Sequence, residues 1–250
     1  MSGHSKWSTI KHKKAATDAK RSKAWSKVSR DITVAAKMGG GDPEANPRLR
    51  LAIDKAKSAN MPRDTIERAI KKGTGGLEGV SYEECVYEGY APGGVAVMCT
   101  SLTDNRARTA PEIKKIFERS GGNLGAVGSV AWMFKQRGVI VVAADAVAED
   151  KIMELALEAG AEDIDSGPIC HEISCSPDEY LAVKGAIEAA NIPIESAEIS
   201  MVADTTVAVD LDAARKIVKL MDALEDHDDT QSVSSNVDIP DDIFAQMNDD

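Results

Sequence analysis

The chain has few aromatic residues, few cysteines and no long apolar run. Aromatic residues make up 4% of the 250 positions, so packed cores must consist mainly of alanine, valine, isoleucine and leucine. The four cysteines form no CxxC pair and follow no secretory signal, which predicts free thiols in a reducing compartment. No stretch reaches the roughly 18 apolar residues that span a bilayer. We therefore expect a cytoplasmic protein without a membrane partner.

What the chain does have is a very uneven distribution of charge. Residues 1–75 carry 18 Lys and Arg against 7 Asp and Glu, a net of +11. Residues 76–250 carry 12 against 34, a net of −22, which together give the overall charge of −11. A basic segment on an acidic body is typical of a protein that contacts nucleic acid at one end. The body would then be repelled by phosphate and orient the approach; the alternative is that both regions carry only solvated charge.

Three helices are predicted in the basic segment. The first runs from about Thr17 to Met38 with apolar residues at helical spacing, and the glycines at 39–41 end it. The second runs from about Pro47 to Ala59, and a short third helix ends at Gly73. On the first helix, five basic residues fall within an arc of about 100°, nearly opposite the apolar stripe. These five are Lys20, Lys23, Lys27, Arg30 and Lys37.

A short basic arm precedes the first helix. We interpret it as a segment that orders on phosphate, with Trp7 able to stack on a base or pack against the domain. The chain contains no zinc-finger spacing, RNP motif or zipper-linked basic region, so phosphate contact rather than base reading is predicted. The candidate nucleic-acid-binding residues are Lys6, Trp7, Lys11, His12, Lys13, Lys14, Lys20, Arg21, Lys23, Lys27, Arg30 and Lys37.

The acidic body, residues 78–250, shows an α+β pattern. Over residues 137–203 a strand, a helix, two strands, a helix and a strand follow in ferredoxin-like order. The flanking piece 78–136, with a predicted strand at Ser129–Phe134, lacks a final helix and strand, which residues 204–250 supply. We predict a basic helical domain (1–77), a discontinuous α+β domain (78–136 plus 204–250) and an inserted ferredoxin-like domain (137–203). A short appended third unit is the alternative to insertion.

Nothing in the body matches a catalytic or metal-binding motif. The glycine-rich run from Gly121 to Gly128 follows a helix and fits neither common phosphate-loop pattern, so we interpret it as a cap and loop. The run from Cys170 to Cys175 lacks zinc-site spacing, and the acidic run from Glu225 to Asp229 lacks EF-hand spacing. We predict no catalytic residue, no metal and no cofactor; an enzyme with a site in the α+β cleft is a third hypothesis.

Several stretches together resemble the YebC family. They include Gly3-His4-Ser5-Lys6-Trp7, Asn60-Met61-Pro62, Leu102-Thr103-Asp104-Asn105-Arg106 and Leu224–Asp229. The resemblance spans essentially the whole chain, and one departure is Trp25, where the family typically has phenylalanine. It implies an α+β protein of three domains: an N-terminal helical bundle followed by two ferredoxin-like α/β-sandwich domains, one inserted in the other.

The same resemblance implies a regulatory function. Bacterial members are described as cytoplasmic DNA-binding transcriptional regulators, and a mitochondrial branch resembles a translational activator. We therefore predict a non-enzymatic nucleic-acid-binding regulator with DNA as its partner. The alternative is a translation factor that binds ribosomal RNA on the ribosome. Both polymers present phosphate, so charge alone does not separate them. The sequence leaves the oligomeric state open, with a monomer as the default expectation.

Overall fold

The structure, a computed structural model, describes residues 18–77 and 81–248. Its helices are α1 (Asp18–Gly39), α2 (Pro47–Ser58), α3 (Arg63–Gly73), α4 (Arg106–Arg119), α5 (Glu149–Glu158), α6 (Tyr180–Ala189), α7 (Leu211–Glu225) and α8 (Asp241–Asn248). Its strands are β1 (Glu83–Tyr90), β2 (Ala96–Thr103), β3 (Asn123–Leu124), β4 (Phe134–Ala143), β5 (Ala161–Ser166), β6 (Cys170–Cys175), β7 (Ile194–Ala203), β8 (Val207–Ala208), β9 (Thr230–Ser235) and β10 (Val237–Asp238).

Helices α1 to α3 form a small bundle around the apolar stripe of α1. Ile32 and Leu49 are fully buried at its centre. Trp25 lies at the rim and donates its indole N–H to the Ala59 carbonyl at 2.9 Å, which ties α1 to the end of α2. Helix α3 comes so close to α1 that a Cβ at Gly73 would lie 2.4 Å from the Thr33 carbonyl oxygen. The three predicted helices are thus present, with a glycine required at their tightest contact.

The first sheet of the body is antiparallel and has the strand order β3-β1-β2-β9. Its core includes Ile113 and Phe117 from α4 together with Ile217 and Leu220 from α7, all fully buried. Strand β9 pairs with β2, so the C-terminal part of the chain completes a sheet that residues 83–103 begin. A separate two-residue parallel pair joins β8 to β10.

In the sequence, the strands of the second sheet, β4 to β7, lie between β3 and β9 of the first sheet. Its order is β5-β6-β4-β7 with every neighbouring pair antiparallel, which is the ferredoxin-like arrangement. Helices α5 and α6 supply Ile152, Val183 and Ile187 to its core. The predicted α+β class, with one sheet unit inserted in the other, is confirmed, while the residue boundaries of the three domains stay a prediction.

The predicted strand at Ser129–Phe134 is wrong. Residues 131–133 form a single 3-10 turn, and one continuous strand, β4, runs from Phe134 to Ala143. The physical reason lies in the Glu88 carboxylate, which accepts the backbone N–H groups of Gly128, Val130 and Ala131 at 2.6, 2.8 and 2.8 Å. Those donors are therefore not offered to a neighbouring strand. The predicted boundary between residues 136 and 137 falls inside β4.

The helical bundle contacts both sheet units. Arg48 forms an ion pair with Glu84 of β1 at 2.7 Å, and Asp54 forms one with the nearly buried Lys184 of α6 at 2.6 Å. Leu51 of α2 also packs against the core of the second sheet. These contacts fix one face of the bundle against the body. Among the described helices, none is both long enough and apolar enough to cross a membrane.

Candidate nucleic-acid interface

The basic face of α1 comprises Lys23, Lys27, Arg30 and Lys37, and it lies opposite the buried stripe of the helix. Lys20 and Arg21 belong to the α1 backbone, but their side chains lie outside the described part of the chain. The other predicted binding residues also lie outside it: Lys6, Trp7, Lys11, His12, Lys13 and Lys14.

The basic face of α1 contacts the acidic segment, Glu225–Asp229, which follows the end of α7. Lys23 donates to the Asp226 carbonyl and pairs with the Asp228 carboxylate at 3.2 Å. Lys27 donates to the Glu225 carbonyl at 2.5 Å. The acidic segment, which lacks EF-hand spacing, therefore binds cations that the same chain supplies.

Arg30 extends this contact to a buried carboxylate. Its guanidinium donates to the Asp228 carbonyl at 2.5 Å and to Asp229 Oδ1 at 3.1 Å, and lies 5.8 Å from the centre of the Tyr82 ring. The Arg30 side chain is 18% exposed and that of Asp229 only 5%. Lys37, by contrast, is exposed and donates to the Ser81 hydroxyl at 2.7 Å. Three of the four described side chains of the basic face thus contact the acidic segment.

Asp229 joins α1 to α4. Its second oxygen, Oδ2, accepts hydrogen bonds from Arg108 at 2.8 Å, Thr109 at 2.7 Å and Thr103 at 3.1 Å. Burial alone would raise the pKa of the Asp229 carboxyl, but the hydrogen bonds from Arg108, Thr109 and Thr103 and the Arg108 charge together lower it. Asp229 is therefore an ionised carboxylate shared by arginines from two domains.

An open groove of about 730 Å³ lies between α1 and α4 above the acidic segment. Its wall on the α1 side includes Lys23, Arg30 and Tyr82, and its wall on the α4 side includes Lys115 and Arg119. At its floor His227 Nδ1 accepts the Asp229 N–H at 3.2 Å, so Nε2 carries a proton and faces Glu112 at 3.0 Å.

Sequence reasoning missed the basic residues of α4. Five of the 12 Lys and Arg in residues 76–250 lie in the 14 residues of this helix, against two acidic residues. The signal was present in the run from Arg106 to Arg119, but a charge sum over the whole acidic body hid it. Lys115 and Arg119 are exposed, and neither forms an ion pair with any residue of the described ranges.

The glycine-rich loop and the candidate metal ligands have internal roles. The amides at positions 128, 130 and 131 bind the Glu88 carboxylate as they would bind a phosphate. His171 is buried and contacts the Ser166 hydroxyl at 2.9 Å and the Val147 carbonyl at 3.2 Å. Over residues 18–77 and 81–248, no three or more His, Cys, Asp or Glu side chains are grouped to hold a metal ion.

Two family models match the chain in succession. Residues 5–76 match the TACO1/YebC protein N-terminal domain, and residues 82–237 match the TACO1/YebC second and third domain. The solved structure of a conserved hypothetical protein from Aquifex aeolicus is similar, with a TM-score of 0.82 and 51% identity. That similarity covers 93% of this chain and 96% of the other.

Bacterial relatives are similar over their full length. A protein of Desulforapulum autotrophicum is 55% identical over 99% of this chain and 100% of its own. One from Geobacter sulfurreducens is 56% identical over 96% of both chains, and one from Treponema pallidum is 55% identical over 97% of this chain and 99% of its own. Each of the three relatives is named a probable transcriptional regulatory protein.

Proposed function

The chain belongs to the TACO1/YebC family, and from that premise we propose that it is a non-enzymatic regulator of transcription that binds DNA through its N-terminal basic region. The names of the bacterial relatives support the regulatory role. The observation that carries the proposal is the net charge of +11 in residues 1–75, joined to a body of −22. A charge difference of this kind attracts phosphate to one end of the molecule and orients it.

The contact surface comprises the basic face of α1 together with the N-terminal arm. In the free chain Lys23 and Lys27 donate to main-chain carbonyls of the acidic segment, which carry only partial charge, and Lys23 also pairs with the exposed Asp228 carboxylate. A phosphate oxygen carries full charge and forms stronger hydrogen bonds with an ammonium group. We infer that phosphate replaces these carbonyls at the lysine ends, while the arginine contact with Asp229 persists and holds α1 in place.

The test is a salt titration of binding with the full chain. The probes are labelled mixed-sequence duplex DNA of about 20 base pairs, two helical turns, and a single-stranded RNA of equal length. The test variant is Lys20→Ala/Lys23→Ala/Lys27→Ala, which retains the Arg30 contact. A matched control, Lys151→Ala/Lys216→Ala/Lys219→Ala, removes the same charge from helices of the body.

We expect the test variant to lower the slope of log affinity against log salt by about 3 and the control to leave it unchanged. If the test variant and the control lost equal amounts of affinity and salt slope, a contact made by α1 would be contradicted. Binding of single-stranded RNA in strong preference to duplex DNA would favour the translation-factor alternative. A regulator of transcription should further protect a discrete DNA site at physiological salt, against which mixed-sequence DNA competes poorly.

A further inference from the structure

We propose that Lys115 and Arg119 of α4 form a second phosphate-contacting surface, on the opposite wall of the groove from the basic face of α1. The proposal rests on the proposed function and names a further part of its binding surface. It assigns a direct role to the acidic body, which charge alone would treat as a region that phosphate avoids.

The first support is that these two cations are not engaged within the described chain. Lys23, Lys27 and Arg30 all contact the acidic segment. Lys115 and Arg119 are exposed and form no ion pair with any residue of 18–77 or 81–248. On α4 the neighbouring Lys114 is already paired with Glu118 at 3.8 Å. Of the basic residues that line the groove, Lys115 and Arg119 are therefore the two without an ion pair among the described residues.

The second support is geometric. Lys115 and Arg119 are four residues apart, so they lie on the same face of α4, one turn from each other. Both line the same groove as Lys23 and Arg30 of α1. An extended phosphate backbone that contacts α1 therefore passes within reach of α4 without a change in either domain. Tyr82, half-buried in the groove, offers a ring on which a base can stack.

Three of the five carboxylates that line the groove are already bound by cations of the same chain. Asp229 binds Arg30 and Arg108, and Asp104 binds Arg108 at 3.0 Å. Asp228 binds Lys23, and Glu112 contacts His227. The pairs with Arg30, Arg108 and Lys23 have little net charge towards the groove. Glu112, which accepts from the one ring N–H of His227, and the exposed Asp226 keep their negative charge. The α4 wall therefore offers an incoming polyanion two unpaired cations, Lys115 and Arg119, beside one carboxylate, Glu112.

Arg119 also lies in the last turn of α4, where a cation stabilises a helix by complementing its dipole. That role predicts a small loss of stability on neutralisation, measured as a lower urea midpoint. It predicts no change in the salt dependence of nucleic-acid binding. The two roles are therefore separable by measuring both quantities in the same variant.

The experiment compares the full-length Lys115→Ala/Arg119→Ala variant with a matched control, Lys216→Ala/Lys219→Ala, on α7. Lys216 and Lys219 lie in a helix of the same domain and do not line the groove. Binding to the labelled duplex and to the single-stranded RNA is measured over a salt series, and unfolding by urea is measured in parallel. We expect the α4 variant to bind the duplex at least about tenfold more weakly, with a salt slope lower by about 2, and the control to match the unaltered chain.

Three outcomes are informative. An α4 variant that binds like the unaltered chain, while the α1 variant loses affinity, overturns this proposal and leaves the proposed function standing. Equal losses of duplex affinity in the α4 variant and the α7 control also overturn it. Binding would then depend on the total charge of the chain and not on the two groove residues. If the unaltered chain shows no salt-dependent binding to either polymer, the proposed function itself fails, and this proposal fails with it.

Discussion

Helices α1 and α4 carry similar positive charge but use it in different ways. Helix α1 has six basic and two acidic residues, and α4 has five and two. Lys23, Lys27 and Arg30 of α1 contact the acidic segment, whereas Lys115 and Arg119 of α4 pair with no described residue. A basic run thus marks a helix that attracts an anion, but only the structure tells whether that anion belongs to the same chain.

The largest expected effect concerns the carboxylate that holds the two helices together. Asp229→Asn removes the negative charge shared by Arg30 and Arg108. The buried hydroxyls of Thr103 and Thr109 then face an amide in place of a carboxylate. We expect the free energy of unfolding to fall by about 2–4 kcal/mol, somewhat below the range for a fully buried pair because Arg108 is partly exposed. Urea denaturation measures the loss, with Asp226→Asn as an exposed control expected to change stability by less than about 0.5 kcal/mol. Equal stability of the two variants would show that Asp229 does not hold α1.

The second prediction compares one arginine from each helix. Arg30→Ala loses hydrogen bonds to Asp228 and Asp229 and its position near the Tyr82 ring, so we expect a loss of about 1–2 kcal/mol. Arg119→Ala removes an exposed side chain without an ion partner among the described residues, and its effect should stay within about 0.5 kcal/mol. Should Arg119→Ala destabilise the protein as much as Arg30→Ala, the contrast between the helices does not hold.

The third prediction is a pH dependence specific to Asp229. The folded-state pKa of this carboxyl is lowered, so its contribution to stability is complete above the ordinary pKa and disappears as the pH falls through the lowered one. The stability difference between the unaltered protein and Asp229→Asn should therefore shrink as the pH is lowered from about 6 to 3. Urea titrations of both proteins across this interval measure it. A difference that stays constant would mean that the charge of Asp229 is not the source of its effect.

The smallest expected effect sharpens the interpretation of the acidic segment as an internal competitor. Asp226→Asn/Asp228→Asn removes its two exposed carboxylates, including the partner of Lys23, and preserves the main-chain carbonyls. We expect affinity for duplex DNA to rise by about two- to fivefold, the scale of an exposed ion pair. Glu154→Gln/Glu158→Gln on α5 is the control for total charge. A gain of equal size in the control would remove any special role of the segment.

Local patterns in the sequence were sufficient for most of the fold. The apolar stripe of α1, Pro47 at the start of α2 and the strand and helix order of 137–203 each depend on neighbouring residues, and each prediction matches the structure. The strand expected at 129–134 failed because Glu88, some 40 residues away, binds the amides of that segment. An apolar run such as Val130 to Met133 satisfies a strand pattern whether or not its N–H groups are available.

The candidate site was predictable only in part, for a similar reason. Helical spacing places the cations of α1 on one face, and the structure agrees. That face meets the acidic segment about 200 residues later, a contact that no local pattern encodes. The basic residues of α4 were not predicted, because the net charge was summed over 175 mostly acidic residues, and this sum hides the positive charge of a 14-residue helix. Charge counted element by element would have revealed them.

The continuous strand β4 has a mechanical consequence for how the two sheet units move. The chain leaves the first unit at Phe134 and returns at Ala203, and these two residues are partners in the β4–β7 ladder. The connection is therefore a hydrogen-bonded two-stranded ribbon instead of a pair of loose linkers. Two-stranded ribbons of this kind are more strongly twisted than wider sheets. The two sheet units are consequently coupled through paired strands, whose main-chain hydrogen bonds must break before the connection can splay apart.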